Sequence, residues 1–347
     1  MENELNFLDQ HNVFIIAEAG VNHNGNIEIA RKLVDAAVEA GADAVKFQTF
    51  TAESIATKKA QKAEYQTVNT GTSESQFDML KNLELTYENH LELQKYCQDK
   101  GIVFFSTPFS IESVDLLEMF DVPLYKISSG DITNMVLLKY VATKGKPIIL
   151  STGMASLGEI EEAIGWILEA GNDRIVLMHC TTNYPARYDE VNLSAIHTIR
   201  QSFKLPVGYS DHTLGIEVPI AAVSMGASII EKHFTLNRNM EGPDHKAALE
   251  PDELKKMVSS IRNIEVAMGD GIKRCMPSEE KVKKLVRKSI VANCDIRKGE
   301  IITEKMLTAK RPENGIEVKN MPFFIGKVAE RDIIADELLT FDAVRGD

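Results

Sequence analysis

The chain has only four cysteines, Cys97, Cys180, Cys275 and Cys294, and no two of them form a CxxC pair. That scarcity excludes a zinc knuckle or a disulfide framework and leaves the thiols as reduced bystanders. Basic charge is short as well: 39 Lys and Arg stand against 51 Asp and Glu, for a net charge of −12 over 347 residues. No nucleic-acid partner is expected, because such binding needs a positive footprint, and an anionic membrane is disfavoured for the same reason. No stretch reaches the ~18 apolar residues of a membrane span, and the opening MENELNFLDQ has neither a basic nor a long apolar signal region. A cytoplasmic location is therefore expected. Neither GxGxxG nor GxxxxGK[ST] occurs, so nucleotide phosphates are not the obvious ligand.

The composition that remains, 44% hydrophobic and 26% charged, is that of a folded globular protein. Eight β-branched or aromatic runs, each ending in a polar residue and followed by a helical pattern, occupy the first three-quarters: VFIIAE, AVKFQT, IVFFST, LYKISS, PIILST, IVLMHC, PVGYSD and SIIEKH. Such alternation implies parallel βαβ units, and eight of them in about 230 residues predict a closed (β/α)8 TIM barrel. The first helix shows the clearest apolar stripe, Ala30, Leu33, Val34, Ala37 and Val38, and Gly41 ends it. The polar stretch 51–76 is too long for an ordinary βα loop and is expected to form a lid or a substrate wall. A glycine-marked, charged segment suggests a boundary, giving a barrel over 1–270, a linker over 271–287 and a small β-rich unit over 288–347. Within that last unit DIRKGEIIT from Asp295 and DIIADELLT from Asp332 repeat one pattern, which predicts internal pseudo-symmetry.

Catalytic side chains of a parallel barrel lie at the C-terminal ends of its strands. The polar residues there are Glu18, Lys46, Gln48, Thr107, Lys126, Ser129, Ser151, Thr182, Ser210, His212, Glu231 and His233. His212 and His233 end consecutive strands, close enough to share one divalent ion while leaving positions open for water and substrate. The plainer alternative is that each histidine is a satisfied hydrogen-bonding residue, and six other histidines, among them His23, His179 and His245, could compete for the metal. Lys46 and Lys126, with serine hydroxyls beside them, suit a phosphate or carboxylate. They would otherwise pair with barrel carboxylates such as Glu18 or Glu231, or one of them would form a Schiff base as in barrel aldolases.

Ten segments together resemble the sialic acid synthase family, which includes the legionaminic acid synthases: EAGVNHNG, VKFQTF, FSTPF, KISSG, ILSTGM, HCTTNYP, GYSDHT, EKHFT, GPDHKA and KRPENG. The resemblance implies a metal-dependent transferase that condenses phosphoenolpyruvate with an open-chain N-acylated amino sugar and releases phosphate by C–O cleavage. It implies an antifreeze-like (SAF) domain for the tail. Carried over residue by residue, it assigns a divalent metal, usually manganese, to His212 and His233, and gives Glu18 a catalytic role. It gives Lys46, Thr107, Lys126, Ser129, Ser151, Thr182 and Ser210 to phosphoenolpyruvate, and Gln48, Tyr184, Asp244 and Arg311 to the sugar. Arg311 would reach the site from the partner in a domain-swapped homodimer. Thr182 stands where asparagine is frequent, and Arg287 where some members carry an aromatic. The acceptor is expected to be N-acetylmannosamine, as in N-acetylneuraminate synthases, with 2,4-diacetamido-2,4,6-trideoxymannose as the alternative.

Overall fold

The structure is a computed structural model that describes residues 13–72 and 74–345. Its eight long-range strands are β1 (Phe14–Gly20), β2 (Ala44–Thr49), β3 (Val103–Pro108), β4 (Tyr125–Ile127), β5 (Ile148–Ser151), β6 (Ile175–Cys180), β7 (Val207–Asp211) and β8 (Ile229–His233). All pair in parallel, in the order β3-β2-β1-β8-β7-β6-β5-β4, and β3 lies next to β4 so that the ring closes. The eight runs legible in the sequence are thus the eight staves of the barrel. Helices between them pack outward-facing strand residues such as Ile15, Val45 and Leu177 against their own apolar stripes.

The period of two along each strand decides what the barrel interior contains. Phe14, Ile16, Ala44, Phe105, Ile149, Val176 and Ile229 fill the lower interior as a dry plug. One step further along the same inward-facing positions, the apolar residues give way to Glu18, Lys46, Ser151, Ser210 and Glu231, all buried. The plug closes the bottom, so the polar layer is reached only from the C-terminal mouth.

The first helix, α1 (Ile27–Ala40), begins where the Asn26 side chain accepts the backbone N–H groups of Glu28 and Ile29, and ends at Gly41 with φ 78°. Its predicted stripe is buried apart from Val38, which is half-buried against the same core. The 51–76 stretch folds into short helices, α2 (Ala52–Ile55), α3 (Glu64–Thr70) and the start of α4 (Gln76–Lys81), before the longer α5 (Tyr87–Lys100). Periodicity does not reveal α3 because it buries none of its residues.

The chain divides into two compact units between Gly269 and Asp270. In the second, β9 (Ser289–Ala292) pairs with β10 (Leu307–Lys310), and β11 (Val328–Ala329) with β12 (Val344–Arg345), around a core of Ile290, Ile296, Ile302, Phe324, Ile333 and Leu339. The sequence echo is physical: Ile296 and Ile333 exchange both backbone hydrogen bonds at 2.8 Å. Asp332 accepts the Lys298 N–H, and Asp295 reciprocally accepts that of Ala335. Among the described residues no helix is long and apolar enough to cross a membrane.

Candidate active site

Strand register brings the site together. Glu18 is level with Lys46 on one side and with His233 on the other, and Ser210 is level with both Cys180 and Glu231. The resulting cavity is lined by Glu18, Lys46, Gln48, Thr107, Lys126, Ser129, Ser151, Thr182, Tyr184, Ser210, His212, His233 and Asp244. Every sequence-predicted site residue of the first unit is there. Arg311 belongs to the second unit, where it is exposed next to Lys310 at the end of β10.

At the floor, two lysines and two carboxylates form one buried network. Lys46 Nζ lies 2.9 Å from Glu18 and 3.6 Å from Glu231, and donates to Thr107 Oγ1 at 2.9 Å. Lys126 Nζ donates to Ser151 Oγ at 2.6 Å and lies 3.6 Å from Glu231. The lysines are therefore paired with barrel carboxylates and also face the cavity. Burial pushes Glu18 up, aided by repulsion from Glu231 and only partly offset by Lys46, so it titrates well above the ordinary carboxylate range. Burial acts on Glu231 in the same direction, but the fields of Lys126 and Lys46 and the hydrogen bond from Ser210 overcome it and hold Glu231 ionised. Two carboxylates with opposed shifts can divide proton transfer from fixed charge.

Above the floor, the rings of His212 and His233 stand 5.4 Å apart, and Tyr184 packs on both at 4.2 and 5.4 Å. Burial holds both imidazoles below their ordinary range and hence neutral. His212 Nδ1 lies 2.7 Å from the Thr181 carbonyl, which can only accept, so Nδ1 carries the hydrogen and Nε2 presents a lone pair. The Nδ1 atom of His233 is buried without a hydrogen-bond partner. Neutral imidazoles, one with its tautomer fixed and one with an orphaned nitrogen, fit a divalent cation. Among the described residues no group of three or more His, Cys, Asp or Glu is arranged to hold such an ion, so the two imidazoles are the ligands available to it here.

Three other described histidines read as satisfied ones. His90 bonds Thr49 and the Thr86 carbonyl, His179 the Val191 carbonyl, and His245 both Thr235 and Asn24.

The sequence reading missed three features. Glu231 appeared only as an alternative partner for the lysines, and that it bridges both of them while they face the cavity was not foreseen. Tyr65, on α3, packs against Tyr184 with the rings tilted by 31° and centroids 5.1 Å apart, and lines the cavity with Gln66, Met79, Leu80 and Leu83. Gly153 lies so close to two cavity hydroxyls that a Cβ there would be 2.3 Å from Thr182 Oγ1 and 2.7 Å from Ser129 Oγ. The glycine in STGM was the available signal for the last of these.

The sequence profile of the NeuB family matches residues 33–273, and that of the SAF domain matches 287–345. The chain is 53% identical to the N,N'-diacetyllegionaminic acid synthase of Campylobacter jejuni, covering 94% of this chain and 98% of that one. It is 46% identical to the synthase of the same name from Legionella pneumophila, over 95% and 94% of the two chains. The crystal structure of the N-acetylneuraminic acid synthetase of Leptospira borgpetersenii, in complex with citrate, superposes with a TM-score of 0.69 at 37% identity, over 78% of this chain and 90% of that one. The chain belongs to the NeuB family of acid synthases, a TIM-barrel enzyme followed by a SAF domain.

Proposed function

We propose that this protein is an N,N'-diacetyllegionaminate synthase, condensing phosphoenolpyruvate with open-chain 2,4-diacetamido-2,4,6-trideoxymannose. The observation that carries this reading is near full-length similarity, at 53% and 46% identity, to two synthases of that name. It reverses the order expected from the motifs, which placed N-acetylmannosamine first.

In this reading Lys46 and Lys126 offset the charge of the donor's phosphate and carboxylate, while Thr107, Ser129, Ser151, Thr182 and Ser210 orient it by hydrogen bonds. His212 and His233 hold a divalent cation, manganese by family expectation, which supplies Lewis-acid polarisation of the acceptor's aldehyde. Tyr184 packs against both rings and closes that corner of the site to water. Gln48, Tyr184 and Asp244 position the sugar so that C3 of phosphoenolpyruvate meets the aldehyde carbon and forms the new C–C bond. Water then adds at C2, with Glu18 taking its proton, and phosphate leaves by C–O cleavage. Arg311 of a second copy would contact the N-acyl group in a domain-swapped dimer.

Phosphate release with each sugar tests the reading. The diacetamido-trideoxy sugar should be the better acceptor by kcat/KM, EDTA should abolish turnover and manganese restore it, and Arg311→Ala should raise the acceptor KM. Preference for N-acetylmannosamine would reject the proposed acceptor. Trapping of the protein on substrate by borohydride, with indifference to EDTA, would reject the mechanism in favour of a Schiff base.

A further inference from the structure

The strand ends build only the inner half of the cavity. Its outer wall comes from the 51–76 insertion together with α4 and the turn after it, where Met79, Leu80 and Leu83 line the cavity from a satellite core shared with Val21, Phe50 and Ala52. Two contacts hold that wall against the barrel mouth. Asn69 Nδ2 donates to the Pro243 carbonyl at 2.6 Å, and the Tyr65 ring packs at a tilt against Tyr184, which itself packs on His212 and His233.

Charge is distributed unevenly between the two halves. The basic groups lining the cavity are Lys46, Lys126, His212 and His233, all at strand ends. The insertion's Lys62 is bonded within its own loop, donating to Thr70 Oγ1 and to the carbonyl and hydroxyl of Thr72. At the outer half the ionisable groups are Tyr65 and the carboxylate of Asp244.

We propose that this insertion wall is the subsite for the C6 end of the acceptor, and that its apolar surface selects a sugar ending in a methyl group. The inference rests on the proposed condensation with an N-acylated amino sugar. With the aldehyde at the histidine pair, the carbon chain runs outward past Tyr184 towards Tyr65 and Met79. A methyl group there is removed from water against thioether and leucine surface. A hydroxyl at the same place gives up its water and finds apolar neighbours. A 6-phosphate fares worse, because it brings charge to an outer half whose ionisable groups are a tyrosine and a carboxylate, with no cation among them.

The test compares kcat/KM for 2,4-diacetamido-2,4,6-trideoxymannose, its 6-hydroxy counterpart and the 6-phosphate of the latter. The wild-type enzyme should favour the 6-deoxy sugar over the 6-hydroxy one by roughly 10- to 100-fold. Met79→Gln, similar in length but polar, should bring that preference down by about tenfold with the phosphoenolpyruvate KM unchanged. Gln66→Lys, at a half-buried position outside the satellite core, keeps the proposal testable if Met79→Gln disturbs folding, and should raise turnover of the 6-phosphate. If a folded variant changes all three acceptors by one common factor, the wall does not read C6 and the proposal is overturned. A wild-type preference for N-acetylmannosamine would instead reject the proposed acceptor. The wall would then stand or fall on the same ratio measured with N-acetylmannosamine and its 6-deoxy analogue.

Discussion

Asp211 and Lys232 are register partners on β7 and β8, and their side chains meet at 2.5 Å with no exposure to solvent. They lie on the outer face of the two strands whose inner face presents Ser210 and Glu231 and whose ends carry His212 and His233. Tyr209 and Thr213 donate to the same carboxylate, so the pair is a satisfied polar bolt between those strands. Lys232→Met leaves a buried carboxylate without its cation and should destabilise the protein by about 3–5 kcal/mol. Adding Asp211→Asn should recover much of that loss, because the amide oxygen still accepts from Tyr209 and Thr213. Thermal melts of the two variants decide it: a double variant no more stable than Lys232→Met would show that the charge pair is not what the bolt consists of.

Gly153 makes the next expectation. Its N–H donates to Ser129 Oγ at 3.0 Å, and a methyl group at this position would intrude on Thr182, Ser129 and Cys180. These are ends of side chains, which can rotate away without disturbing the strands. Gly153→Ala should therefore fold with an unchanged far-UV spectrum while the phosphoenolpyruvate KM rises roughly 10- to 100-fold, the scale of a hydrogen bond lost from a charged ligand. An unchanged KM would remove Ser129 and Thr182 from the donor site.

Both examples mark what the sequence could and could not convey. The strands were legible because a strand buried on both faces is a continuous apolar run, and its first polar residue marks the mouth. That logic located Lys46, Lys126, Ser210, His212 and His233 without coordinates. It could not locate Tyr65 or Met79, since α3 buries none of its residues and meets the barrel through Pro243 and Tyr184, and α4 is too short to show an apolar stripe before it joins Val21 and Phe50 in the satellite core. The role of Gly153 depends on atoms 24 to 29 residues away in the chain, at Ser129, Cys180 and Thr182. Glu231 was visible as a strand end, but its fixed charge follows from two lysines approaching it from other strands.

Asp244 links function to stability. Burial lifts its carboxyl from 3.8 to about 6, so between these values the folded protein binds more protons than the unfolded chain. Stability should therefore fall as pH rises from about 4 through 6 on this account, and the penalty should persist above that. Asp244→Asn removes the buried charge, so the substrate-free protein should be more stable at pH 7.5, by on the order of 1–3 kcal/mol, and the gain should vanish near pH 4. The acceptor KM should rise in the same variant. A melting temperature that fails to increase at pH 7.5 would mean that the carboxylate is compensated in the folded protein.

The opposed shifts of Glu18 and Glu231 make the sharpest test of the site. Glu18 is raised first by burial and further by the negative charge of Glu231, and the proposed proton transfer requires it ionised. Activity should accordingly decline on the acid side as Glu18 takes up its proton. Glu231→Gln removes the repulsion while Lys46 and Lys126 still attract, so Glu18 becomes more acidic and the acid limb of kcat should move to lower pH. Glu18→Gln should instead lower kcat by roughly 100-fold or more and abolish that limb, with the phosphoenolpyruvate KM little changed. If the limb stays in place when Glu231 is neutralised, the group that titrates is not Glu18, and the proton from the attacking water must go elsewhere.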